Sequence, residues 1–309
     1  MLNLSELVNN YLIYCEYQKN LDHKTLKAYR IDLKQYSDYI NIHTFIIDSK
    51  AGINSYINSM HNQYKPKSIK RKIASIKAFY SYLEFEEIIE INPFNKVDIK
   101  LREPQFLPKT ISIHTLQIFL TTMYQHKKLV TTEYQKIILF RDIAVIELLF
   151  ATGIRISELC SLKPSDIDLE TQNVLIYGKG SKERMIQIGS KDVINALKEY
   201  HEIFKYEIEN CGFYFVNRLN QKLSEQSVRY MIKKYSDIAA INQHITPHMF
   251  RHSFATLLLE EDVDIRYIQK MLGHSSITTT QIYTHVSIAK QKDILTTKHP
   301  RNFMVMNEG

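Results

Sequence analysis

The sequence predicts a mainly helical protein of two domains with one small antiparallel sheet. Three observations point there. Apolar residues recur at three- and four-residue spacing through most of the 309 residues. Only one clear pair of short β-type runs flanks a glycine-rich turn, in NVLIYGKGSKERMIQI. Between Ile91 and Thr110, a stretch carrying Pro93, Pro104 and Pro108 breaks the helical pattern. The length suffices for two cores.

Four helices are expected before that break. LSELVNNYLIYC sets Leu4, Leu7, Val8, Tyr11 and Leu12 on one face. DHKTLKAYRIDLKQYSDYI does the same with Leu26, Tyr29, Leu33, Tyr36 and Ile40, and AGINSYINSMHNQ forms the third helix. KPKSIKRKIASIKAFYSYLEF turns Ile69, Ile73, Ile76, Phe79 and Tyr80 inward. A helical domain at residues 1–95 and a linker at 96–109 follow. Lys65, Lys67, Lys70, Arg71, Lys72 and Lys77 come with no acid between them, and acids then cluster at Glu84, Glu86, Glu87 and Glu90. Such a run is either a solvated face or a surface for DNA phosphates. Lys24, Lys27 and Arg30 extend it. The expected DNA contacts are Lys24, Arg30, Lys67, Lys70, Arg71 and Lys72.

A second domain is expected at 110–298, with a tail at 299–309. Its first helix begins near Ile113. RDIAVIELLFATG is a strongly apolar helix, ended by Gly153 in the left-handed role that glycine takes at helix ends. Arg155 follows, with Glu158 three residues on; taken alone, this is a structural ion pair or a held phosphate ligand. Lys179 sits between two glycines at the hairpin tip, a place to solvate an ammonium or to push one into a DNA groove. This GKG lacks the spacing and the GK[ST] helix start of a Walker motif. DVINALKEYHEIF and SEQSVRYMIKKYSDIAA add two helices, the second with Arg229, Lys233 and Lys234 as unspecific phosphate contacts. GFYFVN between them is a strand or a buried connection.

The densest chemistry lies in TPHMFRHSFATLLLEEDVDIRYIQKMLGHSSITTTQIYTHV. Thr246 is placed to cap a helix that Pro247 opens. His248 and Arg251 then share a face near its positive end, where a phosphate is favoured. Gly273 ends the next helix and sets His274 just beyond it; a serine-capped segment then carries Tyr283.

Bulk properties narrow the partners. Forty Lys and Arg against 33 Asp and Glu give +7 and a pI near 9.0, which favours an anionic partner. Cys15, Cys160 and Cys211 are far apart and lack CxxC spacing, which fits a reducing compartment and excludes a disulfide framework or a cysteine zinc site. The N-terminus carries early acids, unlike a signal peptide, and no apolar run nears the roughly 20 residues that span a bilayer. A cytoplasmic protein without membrane partners is expected.

ATGIRISEL, GKGSKER, HMFRHSFAT and LGHSSITTTQIYTH, in this order and spacing, resemble the tyrosine site-specific recombinases, and the Xer type and related phage and transposon integrases in particular. The resemblance implies a SAM-like N-terminal DNA-binding domain and a C-terminal catalytic domain. It implies Tyr283 as the nucleophile that forms a 3′-phosphotyrosyl link and frees a 5′-hydroxyl. Arg155 and Arg251 would hold the non-bridging oxygens, and His248 would assist proton transfer from the tyrosine. Lys179 would protonate the departing 5′-oxygen, His274 would donate to the phosphate, and Glu158 would support the site. It further implies a tetramer on DNA with a tail that docks on a neighbour through Phe303, Met304, Val305 and Met306. A second recombinase or a DNA translocase is a possible partner. The segment from Tyr124 to Phe140 is longer than in compact Xer proteins.

The chemistry suits these roles. A free tyrosine has a pKa of about 10, so it needs a base and a cationic site to attack. Charge gathers on the equatorial oxygens in the transition state, and losing one donor to it costs roughly 10²–10³ in rate. Neither metal nor other cofactor is required, and the phosphotyrosyl bond conserves the energy of the broken link. Two alternatives differ: a catalytically silent DNA-binding protein of this fold, and a DNA-relaxing enzyme of the type IB topoisomerase kind.

Overall fold

The computed structural model describes residues 3–97, 108–178 and 183–273. The chain divides into two compact units, Met1–Gln105 and Phe106–Gly309.

In the first unit four helices form: α1 Leu4–Tyr17, α2 His23–Ile42, α3 Lys50–His61 and α4 Pro66–Phe85. Asn3, Asp22 and Ser49 cap the first three by accepting main-chain N–H bonds, and Pro66 opens the fourth with its preset φ. The expected stripes meet in one core, in which Tyr11, Leu33, Tyr36, Ile76, Phe79 and Tyr80 are fully enclosed. The Tyr36 and Tyr80 hydroxyls bond at 2.6 Å, and Tyr80 also donates to the Ile47 carbonyl.

Beside this pair, Asp32 on α2 has no solvent exposure. Arg71, Lys72 (3.2 Å) and the Ser75 hydroxyl (2.9 Å), all on α4, donate to its carboxylate. Lys72 also donates to Gln35 and lies 4.6 Å over the Tyr64 ring. Its side chain is 3% exposed. This corrects the assignment of Lys72 to the DNA surface: its ammonium is spent on joining two helices. Because Asp32 meets Arg71 to Ser75 and Tyr36 meets Tyr80, α2 and α4 run in the same direction. Their basic N-terminal halves therefore share one end, where Lys24, Arg30, Lys67, Lys70 and Arg71 are exposed.

In the second unit α5 spans Ile113–Leu129 and α6 Glu133–Thr152, so Tyr124 to Phe140 forms the end of one helix and the first turns of the next. Alpha6 is buried on nearly every side from Ile143 to Leu149 and packs against α5, α8 (Lys191–Cys211) and α10 (Pro247–Glu260). Its buried polar groups are satisfied. Arg141 donates to Asp142, which also accepts from Tyr235 at 2.8 Å, and Tyr124 donates to Glu147 at 2.8 Å. Between α6 and α8 lie the single-turn α7 (Ile156–Leu159) and the sheet β1 Ile167–Asp168, β2 Asn173–Tyr177 and β3 Glu183–Gln187, antiparallel in that order. Val174 faces Ile186, and Tyr177 faces Glu183 across the residues that carry Lys179.

One sequence expectation resolves here. GFYFVN is a buried connection, with Tyr214, Phe215 and Val216 enclosed and one bridge from Val216 to Lys222. The core-facing face of β3 holds Arg184 and Ile186, while Met185 is 64% exposed. Alpha9 (Glu225–Ile238) and α11 (Ile265–Leu272) complete the described part of this unit.

Candidate active site

Three chain segments converge where α6, α10 and α11 end or begin. Gly153 ends α6 with φ +58, a conformation open to glycine at no steric cost. A Cβ there would lie 2.7 Å from the Phe254 ring and 2.9 Å from Leu272, so this residue also permits the close approach of α10 and α11. Gly273 ends α11 at φ +65, and a Cβ on it would press on Arg184 at 3.1 Å. Pro247 opens α10 as expected. Thr246 occupies the cap position, but its side chain makes no capping bond.

Arg251, one turn into α10, is 4% exposed. It donates from Nη1 to the Gly153 carbonyl at 2.7 Å and from Nη2 to the Leu272 carbonyl at 2.6 Å. Two residues after Gly153, Arg155 donates from Nη1 to Glu158 Oε1 at 2.8 Å, and its main-chain N–H donates to Oε2 at 3.0 Å. Arg184 reaches the same carboxylate with both terminal nitrogens, at 3.1 Å to Oε1 and 2.6 Å to Oε2. Its Nε donates to the Met271 carbonyl at 2.8 Å. The bonds close into a ring that runs from Arg155 through Glu158, Arg184, the end of α11, Arg251 and Gly153 back to Arg155.

Three guanidiniums and one carboxylate leave this ring with net positive charge. Burial alone would raise the Glu158 pKa, but hydrogen bonds from Arg184 and the Arg155 main chain, with the Arg184 charge, outweigh it and hold the carboxyl below its ordinary value. Two of the Arg251 bonds go to neutral carbonyls, which do not cancel its charge. Arg155 is 35% exposed at its side chain and retains donors beyond the one given to Glu158.

His248 stands in the field of this cluster. Its partial burial lowers the pKa first, and Arg251, Arg229 and Arg155 lower it further, against a smaller opposing pull from Glu225. A histidine so placed is neutral at pH 7 and able to take a proton. The structure thus brings together Arg155, His248 and Arg251 from the expected set. Lys179, His274 and Tyr283 lie outside the described residues. Two participants escaped the sequence reading. Arg229, taken there as an unspecific phosphate contact, acts on His248. Arg184 was not singled out, although strand alternation signals it: Arg184, Ile186 and Ile188 share a parity that points inward.

His252, next on α10, is held down to about 4, by burial first and then by His248 and Arg251. Its folded pKa lies below the unfolded value near 6.5, so the unfolded chain takes up a proton that the native protein refuses. Stability is full above about pH 6.5 and falls toward pH 4, by at most about 1.4 kcal/mol per pH unit. Urea unfolding followed from pH 7 to 4.5 should show this slope in the wild type and a flatter profile in His252→Gln. Equal slopes would remove His252 as the cause.

Comparison with known proteins identifies the family. The phage integrase family matches residues 120–290, and the N-terminal SAM-like domain of phage integrases matches residues 8–87. A tyrosine recombinase of Agathobacter rectalis is 57% identical over 301 residues, covering 97% of this chain and 98% of that protein. Tyrosine recombinase XerC of Thermodesulfovibrio yellowstonii is 33% identical over 309 residues, covering 97% and 98%. The crystal structure of XerH site-specific recombinase bound to difH substrate, a pre-cleavage complex, matches with a TM-score of 0.73 over 95% of this chain and 84% of that one. At 22% identity, that likeness is one of fold. A two-domain helical chain with these relatives along its whole length belongs to the phage integrase family: it is a tyrosine recombinase, an enzyme that cleaves and rejoins DNA.

Proposed function

We propose that the Tyr283 phenol oxygen attacks a scissile phosphodiester of a double-stranded recombination site. The tyrosine O–P bond forms as the P–O5′ bond breaks, leaving a 3′-phosphotyrosyl link and a free 5′-hydroxyl. The phenolic proton passes to His248, and Lys179 supplies a proton to the departing oxygen. Arg155 and Arg251 meet the charge on the non-bridging oxygens, and His274 donates to the same phosphate. Rejoining is the reverse reaction, with a 5′-hydroxyl from the exchanging strand. The observation that carries this reading is the ring itself, which sets the part-exposed Arg155 and the buried Arg251 beside a histidine whose pKa is held low.

The exposed basic end of the first unit supports duplex contact through Lys24, Arg30, Lys67, Lys70 and Arg71, whereas Lys72 is excluded by its burial. On DNA we place the enzyme in a tetramer, with the 299–309 tail docked on a neighbour and a second recombinase or a DNA translocase as partner. Chromosome-dimer resolution and the movement of a mobile element both use this chemistry. Among the described residues no helix is long and apolar enough to cross a membrane, and we place the enzyme with the DNA in the cytoplasm.

A nicked suicide duplex incubated with the protein in EDTA tests the reaction on a denaturing gel. Wild type should give a covalent adduct that Tyr283→Phe does not form, while DNA binding survives. An adduct from the phenylalanine variant, or one that demands Mg²⁺, would sink the assignment.

A further inference from the structure

We infer that Arg184 is a positioning residue for DNA strand cleavage: it fixes the Glu158 carboxylate that aims Arg155 and ties this pair to the end of α11. The inference rests on the phosphotyrosyl reading given above.

Glu158 lies on a single-turn helix, too short to hold a long side chain by packing. Arg155 engages it through one guanidinium nitrogen on Oε1 and its main-chain N–H on Oε2. Both contacts come from the same single turn of chain, so they orient the carboxylate within that turn and tie it to no other element. Arg184 adds a second donor to each oxygen, a two-point contact that fixes the plane of the carboxylate against β3. The direction in which Oε1 receives Arg155 is then set as well. Arg184 and Glu158 are 9% and 6% exposed at their side chains, so water does not compete for these bonds. The third bond, from Nε to the Met271 carbonyl, ties the assembly to the residue two before Gly273. Gly273 itself leaves room for the arginine side chain. Lysine has the charge of arginine and lacks this fork, so it cannot serve both Glu158 and Met271 in the same way.

The exposure difference separates the roles. Arg155 keeps donors toward solvent, where a phosphate would come, whereas Arg184 directs all three of its nitrogens inward. Arg184 therefore acts through its neighbours rather than on the phosphate. Misplacing a reacting group by about 1 Å costs on the order of 10²-fold in rate, with little change in binding.

The test uses the full chain on the nicked suicide duplex in EDTA with protein in excess. It measures the first-order rate of adduct formation, and DNA affinity separately, for wild type, Arg184→Gln, Arg184→Lys, Glu158→Gln and the Arg184→Gln/Glu158→Gln double variant. Arg184→Gln should cleave about ten- to a hundred-fold more slowly, with affinity within about three-fold of wild type. The double variant should lose no more than the worse single one, because both act through one contact. A second duplex carries a methylphosphonate at the scissile position, which removes the negative charge that Arg155 meets. On it the deficit of Arg184→Gln relative to wild type should shrink, which a general loss of structure would not produce. Arg184→Lys should fold and still cleave at least about ten-fold below wild type.

Wild-type cleavage by Arg184→Gln, additive losses in the double variant, or an undiminished deficit on the methylphosphonate would each overturn the inference. So would failure of both Arg184 variants to fold by circular dichroism, which would make the residue structural. Absence of an adduct from the wild type overturns the phosphotyrosyl reading itself and this inference with it; a wild-type adduct with any of the other outcomes overturns this inference alone.

Discussion

Arg251→Gln is expected to slow covalent DNA cleavage by about 10²–10³ and to weaken the second unit at the same time. The two effects have one origin. The side chain is buried and gives two short bonds to the Gly153 and Leu272 carbonyls, which hold the end of α6 against the end of α11. Glutamine is shorter and cannot reach both. Each buried carbonyl left without a donor costs roughly 1–3 kcal/mol. The rate falls for a separate reason: Arg251 brings a guanidinium charge to the cluster, and glutamine brings none. Urea unfolding gives the first quantity, and single-turnover cleavage by the folded fraction gives the second. A loss of stability with an unchanged cleavage rate would make Arg251 only a clamp for the two helix ends.

Asp32→Asn should destabilise the first unit by about 3–5 kcal/mol, the usual cost of breaking one side of a buried ion pair. Lys72 would keep its ammonium in the interior beside neutral groups, namely the new amide, Gln35 and the Tyr64 ring. Arg71→Ala should cost under about 1 kcal/mol, since that side chain is 48% exposed and water replaces its partner. Replacing both buried charges, as Asp32→Leu with Lys72→Met, should recover most of the loss. Hydrogen exchange of α2 and α4 amides in the full chain reads all three variants. Equal effects of Asp32→Asn and Arg71→Ala would show that the enclosed lysine is not the source of the penalty.

These two sites mark the border of what the sequence discloses. The helical stripes are legible because burial of Leu33, Tyr36, Ile76 and Phe79 repeats at the helix period. Gly153 and Gly273 are legible because a glycine after an apolar helix has few other uses. Arg155, His248 and Arg251 were found through their motif blocks and are brought together by the fold. Lys72 was misplaced because a run of lysines says nothing about which of them faces inward. The answer depends on Asp32, forty residues earlier, in an otherwise ordinary helix. Arg184 was not singled out because a charged residue beside a hairpin turn ordinarily faces solvent, whereas here it is the apolar neighbour Met185 that does. Strand parity would have found it, but the carboxylate and the Met271 carbonyl that it binds belong to segments far apart in sequence.

The ring around Arg155 has an asymmetry that bears on how such a site tolerates drift. Three of its acceptors are main-chain carbonyls, at Gly153, Met271 and Leu272. A carbonyl is present whatever amino acid occupies the position, so mutation at 271 or 272 leaves the acceptor in place and is limited by packing alone. The donors and the one carboxylate have no such redundancy, because no other side chain carries the arginine fork. Sensitivity of the bonding itself is therefore concentrated on Arg155, Glu158, Arg184 and Arg251, while at the end of α11 it is packing around Leu272 and the room at Gly273 that limit substitution.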